Sequence, residues 1–134
     1  MEFNANWERA VLRANKNADN IIKESAYELF RDIILDTPVD TGALLGNWAA
    51  TIGGAYSSFT GILDKGGSQT VTSMKSVVES YKPGIPLYLT NTKPYAERIE
   101  YGYSSQAPIG MVRVNVLRFG DIIARVSREW VGKV

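Results

Sequence analysis

Apolar or small side chains recur at Trp7, Val11, Ala14, Ala18, Ile21, Ile22, Ser25, Leu29 and Ile33, at spacings of three and four. That period belongs to an α-helix with one apolar stripe, because 3.6 residues complete a turn. The other face carries Glu8, Arg9, Lys16, Asp19, Lys23, Glu24, Arg31 and Asp32. Pro38 excludes Thr37 from the helical region, which sets the stop near Asp36. Roughly thirty residues at about 1.5 Å each make a rod of roughly 45 Å, so part of it is expected to project beyond the core of so small a domain.

The chain has 134 residues, a length that suits a single domain spanning 1–134 and suffices for a core without disulfide or metal staples. Its 45% hydrophobic and 22% charged residues are ordinary for a globular protein. Fifteen basic and fourteen acidic side chains leave a formal charge of +1, so no global field draws the chain to nucleic acid or an acidic membrane. The absence of cysteine excludes a disulfide scaffold and fits folding in a reducing cytosol. Met1-Glu2-Phe3-Asn4 lacks the charged and apolar regions of an export signal, and no stretch approaches the roughly 18 apolar residues of a membrane span, so no membrane association is expected.

Pro38-Val39-Asp40-Thr41-Gly42 reads as a turn: proline presets one angle, Asp40 and Thr41 bond nearby amides, and Gly42 permits a positive φ. Leu44 to Ile52 then reads as a strand entering the core with Trp48 as its anchor. Paired glycines bracket 53–67, where Tyr56, Phe59, Ile62 and Leu63 fit a hairpin arm or a flexible loop. Val71, Met74, Val77, Val78 and Tyr81 follow a helical period that Lys82-Pro83-Gly84 ends, and Leu87-Tyr88-Leu89 reads as a short buried strand. Tyr95 to Tyr101 suits one or two helical turns before Gly102. A long C-terminal helix is expected to open at Pro108 and to run through Ile109, Val112, Val116, Phe119, Ile123, Val126 and Trp130. Two long amphipathic helices flanking a small antiparallel sheet with a short helix define an α+β domain.

Catalysis is not expected. With no histidine and no cysteine, the commonest general base, the thiol nucleophile and the usual transition-metal ligands are missing, so no cofactor or metal is predicted. The carboxylate pairs Glu24 with Glu28, Asp32 with Asp36 and Glu97 with Glu100 have the spacing of solvated helix faces. Lys65 precedes Gly66-Gly67-Ser68, which is not the order of a phosphate-binding loop. Tyr88, Tyr95, Tyr101 and Tyr103 have only Lys93 and Arg98 among them, which favours packing over base stacking.

Two motifs carry more information. One is Thr37-Pro38-Val39-Asp40-Thr41-Gly42-Ala43-Leu44 directly after the long helix. The other is the run from Tyr88 to Gly102, with Asn91, Pro94, Tyr95, Glu100, Tyr101 and Gly102 as its marked positions. With the closing Ser105-Gln106-Ala107-Pro108-Ile109-Gly110-Met111-Val112-Arg113, they cover nearly the whole chain in a pattern that resembles the HK97 gp10-like family of tailed-phage proteins, the tail-completion or neck components. The segment 53–84 is longer than in compact members of that family.

That resemblance implies a virion structural protein of a tailed bacteriophage, assembled in the host cytoplasm. Its subunits would form a ring of sixfold symmetry that joins the tail tube to the head connector. Its partners would be itself, connector proteins and tail-tube proteins, with genome DNA passing through the lumen without sequence-specific binding. The residues also have readings of their own: Asp40 and Thr41 hold the turn, Asn91 caps a loop, Pro94 opens a helical turn and Gly102 ends it. Pro38, Leu44, Tyr95 and Tyr101 complete the set as fold or assembly positions, and Glu100 or Arg98 is a candidate for direct subunit contact. An alternative is a DNA-contacting module built on Arg113, Arg118, Arg125 and Arg128 of the last helix.

Overall fold

The structure is a computed structural model that describes the backbone of residues 2–102 and 104–131 and the side chains of 16–102 and 104–130. The side chains of Trp7, Val11 and Ala14, and all of Tyr103, lie outside the described residues. The chain is α+β, with two long helices, several short ones and one small sheet.

The first helix, α1, spans Glu2–Leu35. Its 34 residues give a rod of about 51 Å, and no proline or glycine interrupts them. It stops where Pro38 requires. The Thr37 hydroxyl donates to the Ile33 carbonyl at 2.8 Å and so satisfies one of the carbonyls left open by the helix end. The same hydroxyl accepts the indole N–H of Trp48 at 2.8 Å.

A single helical turn, α2 at Ala43–Gly46, stands where a strand from Leu44 was expected. The apolar run gave no periodicity that separates a buried strand from a buried helical turn. The structure buries the consecutive Leu44, Leu45 and Gly46, which a half-exposed strand with alternating faces would not do. The strand is shorter, β1 at Ala49–Ile52. It pairs antiparallel with β2 at Leu87–Thr90, in a register that sets Ala49 opposite Thr90 and Ile52 opposite Leu87.

Between the strands, residues 53–67 form an irregular loop and α3 spans Ser68–Glu79. The loop carries no strand hydrogen bonding, so the hairpin alternative for it is excluded. Asp64 is buried and begins α3: its carboxylate accepts the N–H of Gly67 at 2.9 Å and of Thr70 at 2.8 Å, and the Thr70 hydroxyl at 2.8 Å. A two-stranded sheet is marginal on its own, and here it leans on α3.

The C-terminal segment differs most from expectation. The helix does not open at Pro108; α5 covers only Arg113–Val116, and α6 spans Phe119–Val131. Gly110 has φ +86, and a Cβ there would collide with the Glu100 carbonyl, so the chain turns sharply before α5. The side-chain amide of Asn115 then donates to the Met111 carbonyl at 2.7 Å, and the Arg118 N–H bonds only three residues back, to Asn115, which breaks the period at 117–118.

The long helices pack on each other rather than enclosing the sheet. Ile122 and Val126 of α6 are buried, as are Ala26, Phe30, Ile33 and Ile34 of α1. α1 also packs against α3. Leu45, Trp48, Met74, Val78 and Met111 complete the core. Between 115 and 130 the pairing of α1 with the C-terminal region is antiparallel, because Asn115 reaches Asp36, Arg125 reaches Glu28 and Trp130 reaches Glu24.

Candidate functional site

The first motif is a turn locked by its own backbone. Gly42 has φ +87, its carbonyl accepts the N–H of Gly46 at 2.9 Å and of Asp64 at 3.1 Å, and a Cβ would stand 2.7 Å from the Asp64 backbone. Both the angle and the space therefore require glycine. The Thr41 hydroxyl accepts the Ala43 N–H at 3.2 Å, as expected of a turn residue. Asp40 does not share that role: its side chain is exposed, and among the described residues its carboxylate holds no turn amide. Pro38 is half-buried and Leu44 is buried.

The second motif reaches back to the first through amides. Asn91 donates to the Leu44 carbonyl at 2.8 Å, accepts from the Asn47 amide at 3.0 Å and accepts the Lys93 N–H at 3.1 Å, so it caps its own loop and also ties β2 to α2. Asn47, which the sequence did not single out, is fully buried and donates also to Thr92 at 2.9 Å. The short helix α4 covers Ala96–Glu100, so Pro94 stands two residues ahead of its first turn instead of opening it. Gly102, with φ +92, follows the helix end at Tyr101 as expected. Pro38, Asp40, Thr41, Gly42, Leu44 and Tyr95 line one shallow recess of about 290 Å³, which brings six of the marked residues together.

Glu100, a candidate for subunit contact, turns inward. One carboxylate oxygen accepts the N–H groups of Met111 and Val112, each at 2.8 Å. The other accepts the Arg113 N–H at 2.8 Å and the Arg113 guanidinium at 2.9 Å. Four donors fill the acceptor capacity of a carboxylate. Burial acts to raise its pKa, but the amide bonds from Val112, Met111 and Arg113, with the Arg113 side chain, outweigh it and hold the group below the usual carboxylate range. The Arg113 guanidinium also lies 4.4 Å above the Tyr101 ring. Arg98 is exposed on α4.

The carboxylates that spacing assigned to solvated faces do more than meet water. Glu24 accepts the Trp130 indole N–H at 2.6 Å, Glu28 pairs with Arg125, and Asp36 accepts the Asn115 amide at 2.8 Å. These bonds join residues about a hundred positions apart, so no local spacing could announce them. Among the basic positions of the last segment, Arg113 and Arg125 are thus engaged internally, while Arg118 and Arg128 are exposed beside Asp121 and Asp32. Among the described residues no three His, Cys, Asp or Glu side chains gather as metal ligands would.

Two apolar features remain open. A groove of about 590 Å³ lies between α1, the 81–87 segment and α6; Ile21, Ile22, Leu29, Ile85, Phe119 and Ile123 are among its walls. Beside the α5–α6 junction, Ile109, Val116 and Leu117 stand exposed around a shallow recess. Neither feature lies in 53–67, the segment that the sequence offered as a hairpin arm or a flexible loop. There Phe59 and Leu63 are exposed, but Thr60, bonded to the Gly46 carbonyl at 2.5 Å, pins the loop to the body. No family model, curated protein sequence or solved structure matches this chain.

Proposed function

We propose that this chain is a homo-oligomeric structural subunit of a tailed-phage neck, forming a ring that joins the tail tube to the head connector around the path of the genome. The observation that carries the reading is the apolar surface left open along α1, α5 and α6, which a small subunit acting alone would have to expose to water. The motifs that prompted the family resemblance support it indirectly: they close the turns that hold this surface in place. No reaction is assigned to the chain, and sixfold symmetry and virion location belong to the same proposal.

The DNA-contacting alternative is weakened, because two of its four arginines, Arg113 and Arg125, already pair with Glu100 and Glu28, and the other two stand near Asp32 and Asp121. The test of the main reading is native mass spectrometry and electron microscopy of the purified chain over a concentration series, with pull-down against purified connector and tail-tube proteins. Rings that bind either partner support it. A chain that stays monomeric at every concentration and binds neither partner rules it out.

A further inference from the structure

We propose that the outer edge of β2 takes up an extended segment of a neighbouring copy as the third strand of the sheet. The inference rests on the assembly reading and names one of its contacts.

The ladder itself tells which backbone groups are spare. One pair beyond the strand ends, the Gly53 N–H donates to the Pro86 carbonyl at 2.9 Å. Bonded and non-bonded pairs alternate along an antiparallel ladder. Thr51 with Tyr88 and Ala49 with Thr90 are therefore the bonded pairs of the register, and the N–H and C=O groups of Tyr88 and Thr90 point at β1. Those of Leu87 and Leu89 point the opposite way, and among the described residues they meet no hydrogen-bond partner.

No helix packs on β2 as α3 packs on β1. Beside β1, Thr60 and Ile62 of the loop gather with Met74 and Val77 of α3, a cover that β2 lacks. Open edges are ordinarily guarded by charges, proline or a bulge. Leu87-Tyr88-Leu89-Thr90 carries no charge and no proline, its register is continuous, and Tyr88 is exposed.

This pattern selects the occupant. Donors and acceptors repeating every second residue along a strand edge are matched by another extended backbone, and a third strand also relieves the marginal stability of a two-stranded sheet. The contact is small, since an interface of standard size carries about ten direct hydrogen bonds. A free peptide would therefore be held weakly. A segment of a subunit already docked nearby binds at high effective concentration, which favours a neighbouring copy within an assembly.

The experiment follows amide hydrogen exchange at single residues of the full chain, first dilute and monomeric, then at concentrations where sedimentation velocity shows assembly. The N–H groups of Tyr88 and Thr90 are expected to be protected in both states. Those of Leu87 and Leu89 are expected to exchange freely in the monomer and at least about tenfold more slowly in the assembly. Leu89→Pro removes an outward donor where an edge strand tolerates proline, and Leu89→Ala controls for the lost packing of that leucine. With folding checked by circular dichroism, Leu89→Ala is expected to assemble and Leu89→Pro to remain monomeric at the same concentration. If Leu89→Pro does not fold, exchange in the wild type decides. If the wild type assembles while Leu87 and Leu89 exchange as in the monomer, or if folded Leu89→Pro assembles as Leu89→Ala does, this contact is wrong and the assembly reading survives. If the wild type stays monomeric throughout, the strand contact is overturned, and binding to connector or tail-tube protein then decides the broader reading separately.

Discussion

The side-chain amide of Gln106 grips the peptide group of Val39 from both sides, accepting its N–H at 2.9 Å and donating to its carbonyl at 3.2 Å. Two segments 67 residues apart are thereby joined as neighbouring strands would be, although neither is a strand. The pair connects the turn after α1 to the loop before α5, and Gln106→Glu separates its two halves. Glutamate keeps the acceptor and loses the donor, so about 0.5–1 kcal/mol should be lost in urea unfolding, and Gln106→Ala should lose about 1–2 kcal/mol.

Glu100 should govern acid stability together with Asp64. Burial acts to raise the pKa of Asp64 too, but bonds from Thr70, Gly67 and Gly66 outweigh it, so both carboxylates titrate below their ordinary values when folded. A lowered folded pKa gives stability that is complete above the unfolded value, about 4, and is lost as pH falls through the folded one. Urea midpoints should therefore stay level from pH 7 to about 5.5 and decline below about 4.5. Glu100→Gln should cost about 1–3 kcal/mol at pH 7 and make the acid decline shallower.

Gly42 and Gly54 offer a matched comparison. Gly42→Ala forces a side chain into φ +87 and to within 2.7 Å of the Asp64 backbone, which should cost about 2–3 kcal/mol or more. Gly54→Ala has nothing within 4 Å and no positive φ, so its thermal midpoint should stay within a few degrees of wild type.

Thr37→Val keeps the shape of the side chain and removes its hydroxyl. The buried Trp48 indole then loses its acceptor and the Ile33 carbonyl loses its donor. The expected loss is about 2–3 kcal/mol, read from chemical denaturation, with a change in Trp48 fluorescence.

Where period alone decides structure, the sequence was a sufficient guide. The helices α1 and α3 and the strand at Leu87-Tyr88-Leu89 formed where expected, although that strand is not buried as expected: Tyr88 is exposed and its neighbours are half-buried. Leu44-Leu45 was misread because two adjacent apolar residues fit a buried strand and a buried turn equally well, and the choice depended on Gly42 and Asn91. The break in the C-terminal helix was hidden for a similar reason: Gly110 and Asn115 act through Glu100 and Asp36, which are distant in the chain. The marked residues do come together, but mainly to close turns. Their indispensable partners Asn47, Asp64 and Thr37 are common polar residues whose importance lies wholly in what they touch.

The pairing of α1 with α6 also sets an order of events during synthesis. Glu28 meets Arg125 across 97 residues, and Glu24 meets Trp130 across 106. A ribosome has therefore finished the first helix long before its mate emerges, and Phe30, Ile33 and Ile34 wait without their final cover. Contacts of such long sequence separation slow folding. Chains truncated before residue 119 should consequently be the ones that chaperones retain.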